Sequence, residues 1–107
     1  MGRFDQLEKL QAMIGGKASA SAETSYTAKL LSQGIERCAK KFGEEAVELV
    51  IASVAGKKQE ITAEAADVLY HLLVLLEAGG VSSDDVMAEL KRREGVGGLV
   101  EKARRAP

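Results

Sequence analysis

The chain has 107 residues and a formal net charge of -1, and 46% of its residues are hydrophobic and 29% charged. This length fits a single domain, and the balanced charge argues against a nucleic-acid-binding protein, which usually carries a basic excess. One cysteine and one histidine exclude an internal disulfide and a Cys/His zinc cluster.

The composition indicates an all-α fold. Only four aromatic residues are present, and the one proline is the last residue of the chain. Sheet proteins need more β-branched and aromatic residues, whereas proline-free interiors favour long helices. We therefore expect a helical bundle of about four helices, with a long central antiparallel pair.

The sequence also predicts a cytoplasmic protein without a membrane partner. The first ten residues lack the apolar core and the cleavage site of a signal peptide. The longest apolar stretch, residues 72–76, is too short to span a bilayer. A single cysteine fits a reducing compartment.

In chain order, the first helix is predicted over residues 4–14, ended by the glycine pair that follows it. The small and polar residues 16–25 indicate a mobile loop. A long second helix is predicted from about residue 26 to about residue 54. Gly34 and Gly43 weaken it by about 1 kcal/mol each relative to alanine.

The third helix is predicted over residues 62–79, and it is apolar nearly all round between residues 65 and 76. A chain this short would not cover such a helix, so we expect a homodimer or a higher homo-oligomer. A last helix over residues 82–94 opens with a capping box variant. We expect one domain with its core at residues 4–94 and a flexible tail at residues 95–107.

Two acidic motifs stand out on the second and third predicted helices. The first contains Glu44, Glu45 and Glu48, and the second contains Glu64 and Asp67. In each, a pair of carboxylates three residues apart shares one helix face. Because a short connection joins the two helices, they should pack against each other. The carboxylates of Glu45, Glu48, Glu64 and Asp67 are therefore expected to converge.

Burial decides how we interpret these acids. Asp67 interrupts an apolar helix, and an unpaired buried carboxylate beside like charges is strongly disfavoured. A cation would neutralise such a group. Oxygen ligands without histidine or cysteine suit Mg²⁺, or Mn²⁺, rather than zinc.

The alternative is that the first motif is a solvated helix face paired with Lys40 and Lys41. Glutamate-rich helices are common, so this alternative carries about equal weight for the first motif alone. It does not account for Asp67. The two motifs together favour the metal site.

The wider sequence around these motifs resembles a known family. The acidic motifs are similar to those of the all-α nucleoside triphosphate pyrophosphohydrolase (MazG-like) superfamily. The strings at residues 25–31, 41–48 and 64–72 resemble the phosphoribosyl-ATP pyrophosphohydrolase family of histidine biosynthesis. The resemblance covers about residues 4–94. The tail and residues 17–24 match no motif of the family.

The resemblance implies Mg²⁺-dependent hydrolysis of phosphoribosyl-ATP to phosphoribosyl-AMP and pyrophosphate, by water attack at the α–β phosphoanhydride. Which of the two phosphorus atoms is attacked stays open. By motif position, Glu45, Glu48, Glu64 and Asp67 would be the metal ligands. Glu45 would also be catalytic. Glu44 would be a second catalytic carboxylate, and its role is the least defined.

Substrate contacts are expected from Tyr26, Lys29 and Lys41. Lys41 lies one turn before the acidic motif and could contact a phosphate, and Tyr26 could stack on a base or bind a phosphate. Solvated lysines and helix capping near residue 25 are the structural alternatives. For His71, one turn after Asp67, we favour a core position over a contact behind the metal ligands.

Two other functions are compatible with the motifs. One is a house-cleaning pyrophosphohydrolase of the same superfamily that acts on free (deoxy)nucleotides. The other is a helical interaction module without catalytic activity, in which the acids only decorate the surface. The strings that flank the acidic motifs favour the phosphoribosyl-ATP enzyme over both.

Overall fold

The structure is a computed structural model, and it describes residues 2–17, 21–22, 25–95 and 97–105. These residues form six helices and no strands, which confirms the all-α class. The expected number of about four helices was too low. The helices are α1 (Asp5–Lys17), α2 (Tyr26–Ser32), α3 (Ile35–Ala55), α4 (Lys58–Gly79), α5 (Ser83–Arg92) and α6 (Gly98–Arg105).

The predicted long second helix is in fact two helices, α2 and α3. Gly34 separates them with φ 91° and ψ 171°, a conformation that is essentially restricted to glycine. The prediction treated Gly34 as a weak point inside one helix, whereas its backbone leaves the helical region. The glycines after residue 14, in contrast, do not end α1, which continues to Lys17.

The longest helices, α3 and α4, also pack most extensively on each other. Only Gly56 and Lys57 connect them, and Gly56 ends α3 in the left-handed conformation, with φ 73°. A turn this short holds the two helices side by side. The opposed faces of α3 and α4 therefore meet along their length.

The buried core lies where α1, α2 and the start of α3 pack on the second half of α4. Its fully enclosed side chains are those of Ile14, Cys38 and Val74. The thiol of Cys38 donates a hydrogen bond to the Leu30 carbonyl at 3.3 Å, and burial raises the pKa of that thiol. Cys38 is therefore a core residue.

The helices α3 and α5 leave apolar side chains in contact with solvent. On α3, Val47, Val50, Ile51 and Val54 follow the i, i+3, i+4, i+7 spacing of one helix face, and each is more than half exposed. On α5, Met87 and Leu90 are also about half exposed. We call the four α3 residues the valine stripe.

Within the part of the chain that the structure describes, no single helix is long and apolar enough to cross a membrane. The pair α4 and α5, bent by 104°, meets the length and composition criteria together. A buried core helix meets the same criteria, so this is weak evidence.

We predict that Gly34→Ala lowers the free energy of unfolding by about 1–3 kcal/mol, because alanine cannot adopt φ 91° and ψ 171° without strain. Gly43→Ala is the matched control. Its added methyl group meets no atom within 4 Å inside α3, and it should stabilise the protein by about 1 kcal/mol. Urea denaturation measures both. Equal stability of the two variants would contradict a glycine-specific break.

Candidate active site

Three of the four carboxylates proposed as metal ligands meet at the contact between α3 and α4. Glu45 and Glu48 lie one turn apart on α3, and Glu64 lies on α4. Each offers a carboxylate oxygen, and these oxygens all lie within 4.8 Å of one another. We call these three residues the acidic cluster. Such a spacing suits oxygen ligands around one small hard cation.

The acidic cluster is electrostatically unfavourable on its own. Burial raises the pKa of Glu45 and of Glu64, and the nearby Glu48 carboxylate raises both further. The Oε2 atoms of Glu45 and Glu64 are both buried, and neither has a hydrogen-bond partner among the described residues. Ionised carboxylates only accept hydrogen bonds, so they cannot satisfy one another. A cation would satisfy both orphaned oxygens, and the donor set fits Mg²⁺.

Asp67 does not join the three oxygens of the acidic cluster, although it is close. Its negative charge raises the pKa of both Glu45 and Glu64. The prediction that Asp67 lies in a buried environment is wrong, because this residue is exposed. The apolar pattern around Asp67 is misleading, since Ala66 before it and Leu69 two residues after it are themselves exposed. The orphaned oxygens belong to Glu45 and Glu64 instead.

Glu44 is not one of the three residues of the acidic cluster, and it pairs with a lysine. Its Oε1 lies 3.9 Å from the Nζ of Lys41, which is the long end of an ion pair. The Lys41 side chain is largely covered, and its charge lowers the pKa of His71. Lys41 is therefore beside both the acidic cluster and the aromatic residues described below.

Tyr26 and Lys29 lie on α2. Ser25 caps α2 by accepting a hydrogen bond from the Ala28 amide at 3.1 Å, which is the structural alternative that its position suggested. Tyr26 is the first residue of α2, and 55% of its surface is exposed. Lys29 is exposed too, and no ion pair involves it among the described residues. Both side chains are available to a ligand.

An aromatic group next to these residues was not predicted. The ring of His71 makes edge contacts with Tyr70 at 4.9 Å and with Tyr26 at 6.4 Å between ring centroids. The Tyr70 and Thr27 hydroxyls form a hydrogen bond. His71 is buried, as expected, but its Nδ1 has no hydrogen-bond partner among the described residues. The only indication of this aromatic group in the sequence is that Tyr26, Tyr70 and His71 lie within the strings at residues 25–31 and 64–72 that resemble the family.

A cavity of about 270 Å³ lies elsewhere, between α1, the end of α4 and the start of α5. It contains none of the site residues predicted from sequence. Its apolar and polar lining residues include Gln11, Ile14, Leu73, Leu76, Glu77 and Ser82. The predicted chemistry therefore lies at the acidic cluster and not in this cavity.

The chain is similar to proteins of one named family. The model of the phosphoribosyl-ATP pyrophosphohydrolase family matches residues 7–94. A protein of Methylobacterium radiotolerans is 57% identical over 101 residues, which cover 94% of each chain. A protein of Dinoroseobacter shibae is 54% identical over 99 residues, 92% of this chain and 97% of that one. Both relatives are named phosphoribosyl-ATP pyrophosphatase.

We predict that Glu64→Gln stabilises the metal-free protein, increasingly so as the pH rises. A carboxyl whose pKa is raised on folding keeps its proton longer in the folded state than in the unfolded chain. Its contribution to stability is therefore present below the ordinary pKa of 4.5 and is lost as the pH rises through the folded value. Glutamine carries no charge at any pH, so the Glu64→Gln variant does not lose this stability as the pH rises.

Urea denaturation in a chelator between pH 4 and pH 7, a range that begins below the ordinary pKa of 4.5, measures this difference. Glu36→Gln is the charge-matched control, because it removes an exposed carboxylate near the other end of α3. A constant difference between Glu64→Gln and the wild type across this range would contradict the strained acidic cluster.

Proposed function

This chain belongs to the phosphoribosyl-ATP pyrophosphohydrolase family, and on that premise we propose that it performs the family's reaction at the acidic cluster. It is a hydrolase of histidine biosynthesis that cleaves phosphoribosyl-ATP to phosphoribosyl-AMP and pyrophosphate. The name shared by relatives that match over more than nine-tenths of both chains supports this substrate rather than a free (deoxy)nucleotide. The family membership also argues against a non-catalytic helical module.

We propose Mg²⁺ as the cofactor, held by Glu45, Glu48, Glu64 and Asp67. The observation that carries this proposal is the pair of buried, orphaned Oε2 atoms within the acidic cluster. Asp67 is the fourth ligand in the proposal because its charge acts on both orphaned residues. Mn²⁺ has the same ligand preference and is expected to substitute.

The remaining residues are proposed to bind and orient the substrate. When bound, Mg²⁺ would supply charge neutralisation on the triphosphate and a polarised water. Lys41 would exchange its long ion pair with Glu44 for a phosphate oxygen, and exposed Lys29 would give a second cationic contact. Glu44, released from Lys41, would accept one proton of the attacking water, and Glu45, which would also hold the metal, would orient that water. Tyr26 would contact the nucleoside.

We further propose that α3 and α4 form the long antiparallel pair predicted from sequence. Charges influence one another between Glu48 and Glu64, between Glu45 and Asp67, and between Lys41 and His71. The residue numbers on α3 therefore decrease in the order 48, 45, 41 while those of their partners on α4 increase in the order 64, 67, 71. That ordering, with a two-residue connection, supports antiparallel packing.

The protein is proposed to act as a homodimer or a higher homo-oligomer. The valine stripe supports this, since an exposed apolar face along a helix indicates an interaction surface.

We also propose a cytoplasmic location, supported by the single thiol, which is buried and unpaired.

We predict that Glu45→Gln and Asp67→Asn each reduce turnover of phosphoribosyl-ATP by at least on the order of 10²–10³-fold. The helical circular dichroism spectrum should be unchanged, because neither side chain is part of the core. The assay measures pyrophosphate release from phosphoribosyl-ATP and, in separate reactions, from deoxynucleoside triphosphates as alternative substrates. Full activity of either variant at limiting Mg²⁺ would contradict the ligand assignment.

We predict that Mg²⁺ raises the melting temperature of the wild type but not of Glu48→Gln. A ligand at 100 times its dissociation constant stabilises the folded state by about 2.7 kcal/mol. Glu60→Gln, which removes an exposed carboxylate at the first turn of α4, is the control and should respond like the wild type. Equal responses of all three proteins would count against the acidic cluster as the metal site.

We predict that Val50→Lys dissociates the oligomer, because a charge in the middle of the valine stripe cannot be buried against a second copy. Light scattering coupled to size exclusion gives the mass. Leu99→Lys, at an exposed apolar position of α6, is the control. A wild type that is monomeric at all concentrations would refute the proposal.

A further inference from the structure

The side-chain Nδ1 of His71 is a third orphaned polar atom at the contact between α3 and α4. Among the described residues, only this nitrogen and the Oε2 atoms of Glu45 and Glu64 are buried side-chain atoms without a partner. The proposed metal accounts for the two oxygens and leaves the nitrogen unexplained. A native structure rarely keeps such an atom without a role.

His71 lies just beyond the acidic cluster along both helices. It faces Lys41, which is four residues, or about 6 Å along the helix axis, from Glu45. On α4 it lies the same distance from Asp67. A substrate whose phosphates contact the acids and Lys41 would therefore bring its next portion, the nucleoside, against His71.

The surroundings of His71 also suit a nucleoside better than a phosphate. Only 5% of the residue is exposed, and two tyrosine rings contact its imidazole edge-on. Burial and the charge of Lys41 both lower the pKa of His71, so the imidazole is neutral near pH 7. A neutral ring among aromatic side chains is a poor anion site, but it hydrogen-bonds well to a base or a sugar.

The two tyrosines differ in how firmly they are held. Tyr70 is partly buried, and its hydroxyl is hydrogen-bonded to Thr27. Tyr26 is 55% exposed and begins α2. Of the two rings beside His71, the Tyr26 ring is therefore the one that can turn and pack on an incoming ring.

We propose that His71 is a substrate-binding residue whose Nδ1 hydrogen-bonds to the nucleoside portion of the substrate, with the Tyr26 ring packed beside it. This inference rests on the proposed function, because it places the nucleoside relative to the triphosphate bound at the acidic cluster. It assigns the orphaned nitrogen a partner that is absent from the free protein.

Four substitutions separate a binding role from a packing role. His71→Phe keeps the aromatic packing and removes both nitrogens, so it should fold with equal or higher stability. Its KM for phosphoribosyl-ATP should nevertheless rise roughly tenfold or more, with kcat little changed. His71→Asn, whose amide occupies the place of Nδ1, should recover most of the loss. His71→Gln, which reaches the place of Nε2, should not, and Leu69→Ala on an exposed face of α4 is the control.

The only histidine of the chain also gives a direct spectroscopic test. In the ¹⁵N-labelled wild type, one imidazole contributes to long-range ¹H–¹⁵N spectra. Adding AMP with Mg²⁺ should shift the Nδ1 resonance further than Mg²⁺ with inorganic tripolyphosphate does, because only the nucleotide brings a hydrogen-bond partner to Nδ1, whereas tripolyphosphate acts on His71 only through the charge of Lys41. This measurement needs no variant, so it decides the proposal even if His71→Phe fails to fold.

The proposal is overturned if His71→Phe retains the wild-type KM, if His71→Gln recovers binding as well as His71→Asn, or if tripolyphosphate alone shifts Nδ1 as far as AMP does. The last result would assign His71 to the phosphates. Absence of phosphoribosyl-ATP hydrolysis by the wild type would instead refute the proposed function, while the AMP titration would still report on the nucleoside contact.

Discussion

Repulsion between carboxylates that are held too close together governs this molecule. Glu45, Glu48 and Glu64 place oxygens within 4.8 Å of one another, and the Oε2 atoms of Glu45 and Glu64 are buried without a hydrogen-bond partner among the described residues. Folding the metal-free chain must therefore overcome both desolvation and like-charge repulsion. The packing of α3 on α4 supplies the free energy that holds these carboxylates together. A divalent cation would relieve their repulsion, and this relief would favour its binding.

The rest of the fold serves that packing. The two-residue connection at Gly56 and Lys57 fixes α3 beside α4, and the core around Val74 anchors the far half of the pair. Gly34 then turns the chain, so that α2 packs on both helices and carries Tyr26 to the edge of His71. Acids, lysine and aromatic rings follow one another along a single surface. That order is the physical basis for the placement of triphosphate and nucleoside.

Part of this arrangement was predictable from sequence, because it depends on local periodicity. Residues three apart on a helix share a face, so the pairing of Glu45 with Glu48 followed from spacing alone. The break at Gly34 did not, since a glycine within a helix and a glycine that leaves the helical region look the same in sequence. The exposure of Asp67 was misjudged because apolar neighbours were taken as evidence of burial. The unpartnered Nδ1 of His71 depends on how three rings pack, which no spacing rule describes.

Anomalous diffraction from crystals grown with Mn²⁺ is the direct test of whether the acidic cluster is a cation site. An anomalous peak is expected at bonding distance from carboxylate oxygens of Glu45, Glu48 and Glu64. A fully occupied Mn²⁺ elsewhere, with these three carboxylates bonded only to one another or to basic side chains, would contradict it.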